Sequence, residues 1–84
     1  MLQTYALQAI TTRYLGPTNT RGGRIQATCA AGSHTAPYDH ALSAFANHAA
    51  AARALVALLG WMDDPARHTF GSLKDGYVLV ISPN

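Results

Sequence analysis

One stretch of this chain has helical grammar, and it constrains everything else. Residues 44–59 are dominated by Ala and Leu, both strong helix formers. Ser43 stands before them as a suitable N-cap, and Gly60 follows as a suitable C′ residue. Phe45, His48, Ala49, Ala52, Leu55, Val56 and Leu59 recur at helical spacing. This stripe is expected to lie on a sheet, with Phe45, Leu55, Val56 and Leu59 as the anchors. Each buried large apolar side chain contributes about 1.5–3 kcal/mol. A single helix has no second helix to cover its stripe, so the rest must supply the other layer.

The flanking sequence reads as that layer. Residues 3–14 predict a long strand, with Tyr5, Leu7 and Ala9 alternating with other residues and Thr11 and Thr12 adding β-branched weight. Ile10 and Tyr14 fall on the opposite parity, which requires either a bulge or cover on both faces. The run Gly16-Pro17-Thr18-Asn19-Thr20-Arg21-Gly22-Gly23 has loop chemistry. Residues 24–30 predict a second strand, Ala31-Gly32 a tight turn, and residues 33–38 a third strand. These three join most simply as an antiparallel meander. Residues 61–76 read as irregular, with Pro65, Gly71 and Gly76 as breakers, and the apolar run Tyr77–Ile81 as a buried central strand. The expected fold is a single α+β domain over residues 1–84. It has a four-stranded, mainly antiparallel sheet (β-β-β-α-β) and one amphipathic helix packed on one face.

Composition removes several classes. Charged residues are 12% of the 84, and the chain is 49% hydrophobic, which argues against disorder. Sixteen of the apolar residues are Ala. Cys29 is alone, so there is no disulfide framework, and it fits a buried, inert thiol in a reducing, cytoplasmic compartment of a host cell. No run of about 18 apolar residues marks a membrane span. The first residues lack the basic-then-apolar pattern of a signal peptide. The net charge is +2, unevenly placed: Arg13, Arg21 and Arg24 stand in residues 1–38 without any acid, while residues 39–84 hold three cations and four acids. A one-sided cationic segment attracts phosphates or acidic protein surfaces.

The Arg-bearing loop is the most informative candidate site. Gly22 and Gly23 let backbone amides approach an anion, and Arg21 and Arg24 can fork onto phosphate or carboxylate oxygens. Arg13 lies at the base of the same hairpin, so the three guanidinium groups are expected to converge. Thr18, Asn19 and Thr20 add polar groups, and Tyr14 and Tyr38 add stacking surfaces. The competing expectation is a hydrated loop whose Thr and Asn bond their own backbone. The spacing is neither a P-loop nor a dinucleotide fingerprint. A second cluster holds His34, Tyr38, Asp39, His40 and His48. It matches no zinc pattern, and Asp39 suits a turn or cap better than a partner for His40. His48 reads as a satisfied core or edge histidine rather than a catalyst. Asp63-Asp64 reads as an exposed turn, and Trp61 as a lid on the core, with an exposed partner-binding anchor as the alternative. No nucleophile, base and orienting group stand together, so neither catalysis nor a cofactor or metal is expected.

The segment Gln8–Ala27, with its ITTRYLGPTNTRGGRIQA run, resembles one found in small proteins of phages and plasmids. Tyr38–Leu42 and Asn47–Ala51 resemble the same group. That resemblance implies a mobile-element accessory gene and brings no mechanism with it. The size and class also resemble those of anti-CRISPR proteins, an architectural likeness only. The expected function is a non-enzymatic protein that binds and inhibits a host defence complex, protein or ribonucleoprotein, through the basic hairpin loop. One alternative is a binder of a phosphate-bearing small ligand or nucleotide signal. Another is a small nucleic-acid-binding protein. A homodimer through the open sheet face is a further option, and no membrane partner is expected.

Overall fold

The computed structural model describes residues 8–61 and 67–81. Strands β1 (Gln8–Leu15), β2 (Arg24–Cys29) and β3 (Gly32–Pro37) are followed by helix α1 (Ala44–Leu58) and then by β4 (His68–Leu73) and β5 (Gly76–Ile81). They form one sheet in the order β3-β2-β1-β5-β4, with each neighbouring pair antiparallel. The α+β class and the first three strands follow the sequence expectation. The number of strands does not, since the sheet has five rather than four, in the order β-β-β-α-β-β. The additional strand is β4, inside the stretch read as irregular. Its only large apolar residues are Phe70 and Leu73, which sit on opposite faces, so alternation carries almost no hydrophobic signal. Pairing with β5 over six residues supplies what its own sequence does not.

Period-two alternation sorts the strands into two faces. Ile10, Thr12, Ile25, Ala27 and Leu79 are buried beneath α1. The helix contributes Ala51, Ala52, Leu55 and Val56 to the same core. Cys29, Tyr38, Leu59, Trp61 and Phe70 pack around its margin. Small alanines at the contact let the helix sit close to the sheet, and the larger Ile, Leu and Val side chains fill the remaining space. Ser43 caps the helix as expected, its Oγ accepting from the Ala46 amide at 3.1 Å. Gly60 closes the other end at φ +73.

The helix seats His48, Ala52, Leu55 and Val56 of the expected stripe, with Asn47 and Ala51 buried beside them and Phe45 outside. Its buried residues are Asn47, His48, Ala51, Ala52, Leu55 and Val56, and Phe45 is 43% exposed. Phe45 therefore is not one of the buried anchors. It rests edge-on against Phe70 and Tyr77, at ring separations of 5.1 Å in both cases. Asn47 is buried at that end of the helix. Its Oδ1 accepts from the Asp39 amide at 2.8 Å, and its Nδ2 donates to the carbonyls of Asp39 at 2.9 Å and Ser43 at 3.0 Å. These bonds tie the β3–α1 connection to the first helical turn. Asp39 is a turn residue as expected, its Oδ1 accepting from the Ala41 amide at 2.9 Å. Trp61 is partly buried against the core, while the Asp63-Asp64 pair and the strand expected before Gln8 lie outside the described residues.

The second sheet face has no helix over it. It presents Thr11, Arg13 and Leu15 of β1, Arg24, Gln26 and Thr28 of β2, and Ser33, Thr35 and Pro37 of β3. Val78 and Val80 of β5 share this face with Thr69 and Leu73 of β4. Among the described residues, no helix is long and apolar enough to cross a membrane.

Candidate functional site

The loop between β1 and β2 spends part of its polar equipment on itself. Thr18 Oγ1 accepts from the amides of Thr20 at 3.3 Å and Arg21 at 3.1 Å, and the Thr18 amide donates to the Arg21 carbonyl at 2.7 Å. Thr18 thus holds the loop in shape, as expected of a turn hydroxyl. Asn19, Thr20 and Arg21 are exposed on it. Beyond the loop, the ladder resumes with the Tyr38 amide donating to the Gly23 carbonyl at 2.9 Å.

The three arginines are partly gathered. Arg13 lies opposite Gln26 and Arg24 opposite Leu15, so Arg13 and Arg24 are diagonal neighbours on the open sheet face. Arg21 and Arg24 line one concavity of about 460 Å³ with Gly22, Gly23, Tyr38 and His40. Arg13 lines a different depression, of about 490 Å³, with Thr11, Gln26, Thr28, Lys74 and Asp75. Arg24 therefore joins two neighbourhoods, and its Nε is buried with no hydrogen-bond partner among the described residues. A buried donor of this kind is costly unless something accepts from it.

Tyr14 and Tyr38 are brought together, but away from Arg13. Adjacent residues of a strand point to opposite faces, so Tyr14 projects on the helix side. Its ring lies over Gly23, where a Cβ would come within 2.5 Å of the phenol oxygen. It meets Tyr38 edge-on at 5.5 Å, and Tyr38 in turn lies 5.1 Å from His40. Tyr14, Tyr38, His40, Ala44 and His48 line a concavity of about 380 Å³. The single cationic and aromatic site expected from sequence is thus split: Arg13 belongs to the open face, and Tyr14 and Tyr38 to the helix side. Only the Arg21–Arg24 concavity touches both groups, through Tyr38.

His48 belongs to this aromatic group, together with Tyr38 and His40 of the second cluster read from the sequence. It is 5% exposed, and its Nδ1 is 2.7 Å from Thr12 Oγ1. The same hydroxyl lies 3.3 Å from the Tyr77 carbonyl, and the Tyr77 ring meets the imidazole at 4.9 Å. A carbonyl only accepts. The assignment that uses both contacts sends the Thr12 proton to Tyr77 and makes His48 Nδ1 the donor, leaving the lone pair on Nε2. Burial holds the His48 imidazole below its ordinary value of 6.5, so it is neutral at pH 7. Thr12 was not singled out in the sequence. The available signal was its parity: it shares a face with Ile10, and a Thr buried there needs a polar partner. Asn47 was missed too, because its role depends on where the chain enters the helix.

Among the described residues, no group of three His, Cys, Asp or Glu side chains is placed to hold a metal ion. Cys29 is a free, partly covered thiol. Comparison with protein-family models, with curated proteins and with solved structures finds no match for this chain. The class of protein is therefore defined by its own architecture: a one-helix, five-stranded α+β domain with an uncovered cationic sheet face and an aromatic cleft on the other side.

Proposed function

We propose that this chain is a non-enzymatic binding protein of a mobile element that antagonises a host defence complex, in the manner of an anti-CRISPR protein. Its docking surface is the open sheet face with the adjoining hairpin loop, and its target is an acidic protein surface. The observation that carries this reading is the placement of Arg13 and Arg24. They stand on the uncovered face of neighbouring strands, flanked by Gln26 and the hydroxyls of Thr11, Thr28 and Thr35, and no ion pair engages them among the described residues. Arg21 extends the cationic zone at the loop. Guanidinium groups recognise carboxylates through paired, directional bonds, which suits an acidic protein surface. Direct nucleic-acid binding is less well supported. Stacking on a sheet needs aromatic rings on its open face. The described aromatics of the sheet, Tyr14, Phe70 and Tyr77, lie on the helix side.

The test is co-elution with candidate CRISPR effector complexes, paired with an interference assay in cells. The wild-type chain is expected to be retained and to relieve interference. The double variant Arg13→Ala, Arg24→Ala is expected to lose both by at least about tenfold, since each charge-assisted bond contributes about 1.5–3 kcal/mol. A wild-type chain that is neither retained nor inhibitory overturns the reading. A double variant that binds like wild type overturns the assigned surface.

A further inference from the structure

The cationic and aromatic concavities share two lining residues, Tyr38 and His40. On one side of this shared wall stand Arg21, Arg24 and the Gly22-Gly23 backbone. On the other stand Tyr14 and His48. We propose that the two concavities together form a binding site for a nucleoside monophosphate that bridges Tyr38 and His40, with the phosphate at Arg21 and Arg24 and the base in the aromatic half. This site lies at the end of the β2–β3 pair and shares Arg21 and Arg24 with the docking surface proposed above, whereas Tyr14 and His48 belong to it alone.

Three features fit that ligand class. The first is the pair Arg21 and Arg24 on one concavity, two guanidinium groups that can fork onto phosphate oxygens. The second is the aromatic wall. Tyr14 and Tyr38 are fixed edge to face at 5.5 Å, and Tyr38 is further braced by His40 at 5.1 Å. Rings held in this way offer a heteroaromatic base a surface that loses little freedom on binding. The third is His48. Thr12 holds its Nδ1 at 2.7 Å, and the hydrogen-bond assignment above leaves Nε2 as an acceptor for an exocyclic amine or ring N–H of the base. The halves measure about 460 and 380 Å³, in the range of sites for small organic ligands.

Calorimetric titration of the full chain with AMP and GMP tests the proposal, with adenosine, guanosine and inorganic phosphate run alongside. At least one monophosphate is expected to bind in the micromolar to low millimolar range, more tightly than its nucleoside and more tightly than phosphate. Arg21→Ala and Tyr14→Leu alter exposed side chains, and circular dichroism confirms that each variant is folded. Each is expected to weaken the monophosphate about fivefold or more. The Arg variant is expected to leave nucleoside binding unchanged, and the Tyr variant to leave phosphate binding unchanged. The proposal is overturned by absence of heat with both monophosphates at millimolar concentration. It is equally overturned if phosphate alone binds as tightly as AMP and GMP, or if a folded Arg21 or Tyr14 variant binds them like wild type.

Discussion

Thr12 and His48 are 36 residues apart in the chain and share a contact of 2.7 Å in the fold. The pair shows how a polar residue can sit inside an apolar layer when its partner is supplied from another element. Thr12→Val keeps the shape and removes the hydroxyl, leaving His48 Nδ1 buried without a partner. The expected loss is about 1–3 kcal/mol, measured by urea unfolding at pH 7.5. The pH dependence has a definite sign. Burial lowers the folded-state pKa of His48 beneath 6.5, so the unfolded chain takes up the proton first as pH falls. The stabilising contribution is complete above about pH 6.5 and is lost as pH drops through the lower, folded value. Unfolding free energies at pH 7.5 and pH 5 are expected to differ less in His48→Gln than in wild type. An equal or larger difference in that variant would show that other groups set the slope.

At the scale of elements, two connections are more demanding than their sequences suggest. Asn47 bonds both the amide and the carbonyl of Asp39 as well as the Ser43 carbonyl. Asn47→Ala is expected to cost about 2–3 kcal/mol, with the largest rise in hydrogen exchange at the Asp39 amide. Gly76 opposes Arg13 across the β1–β5 pair, and a Cβ at that position would overlap the Thr12 carbonyl. Backbone cannot yield as a side-chain tip does, so Gly76→Ala is expected to lower the melting temperature by several degrees or prevent folding. The helix was legible because Ser43, the Ala-Leu run and Gly60 agree with one another. The three opening strands were legible from alternation and turn chemistry. Strand β4 was not, because an edge strand with a Gly and two hydroxyl residues owes its form to its neighbour. The candidate site was legible in its residue types and not in its grouping. Alternation alone places Arg13 and Tyr14 on opposite faces, whereas the meeting of Tyr14 with Tyr38 and of Thr12 with His48 depends on long-range pairing.

The whole molecule separates two kinds of surface. Its helix side carries the aromatic cleft, and its other side carries hydroxyls, Gln26, the exposed Arg13 and the partly buried Arg24, beside the apolar Leu73, Val78 and Val80. Exposed charges act at a distance but are screened, with a Debye length of about 10 Å at 0.1 M salt. Docking through Arg13 and Arg24 is therefore expected to weaken as sodium chloride is raised, chiefly through a slower association rate. Surface plasmon resonance across a salt series would show this, and an affinity indifferent to salt would argue for an apolar contact instead.

The strand order also dictates when this sheet can be finished. Strand β1 is the middle member, yet its neighbour on one side is β5, the last strand described. As the chain leaves the ribosome, the meander of β1, β2 and β3 can form early, but one side of β1 stays open until β5 arrives. Until then the nascent protein exposes an unpaired edge that other strands can capture. Slow decoding ahead of β5 would lengthen that vulnerable interval, so soluble yield should respond to codon choice in that region.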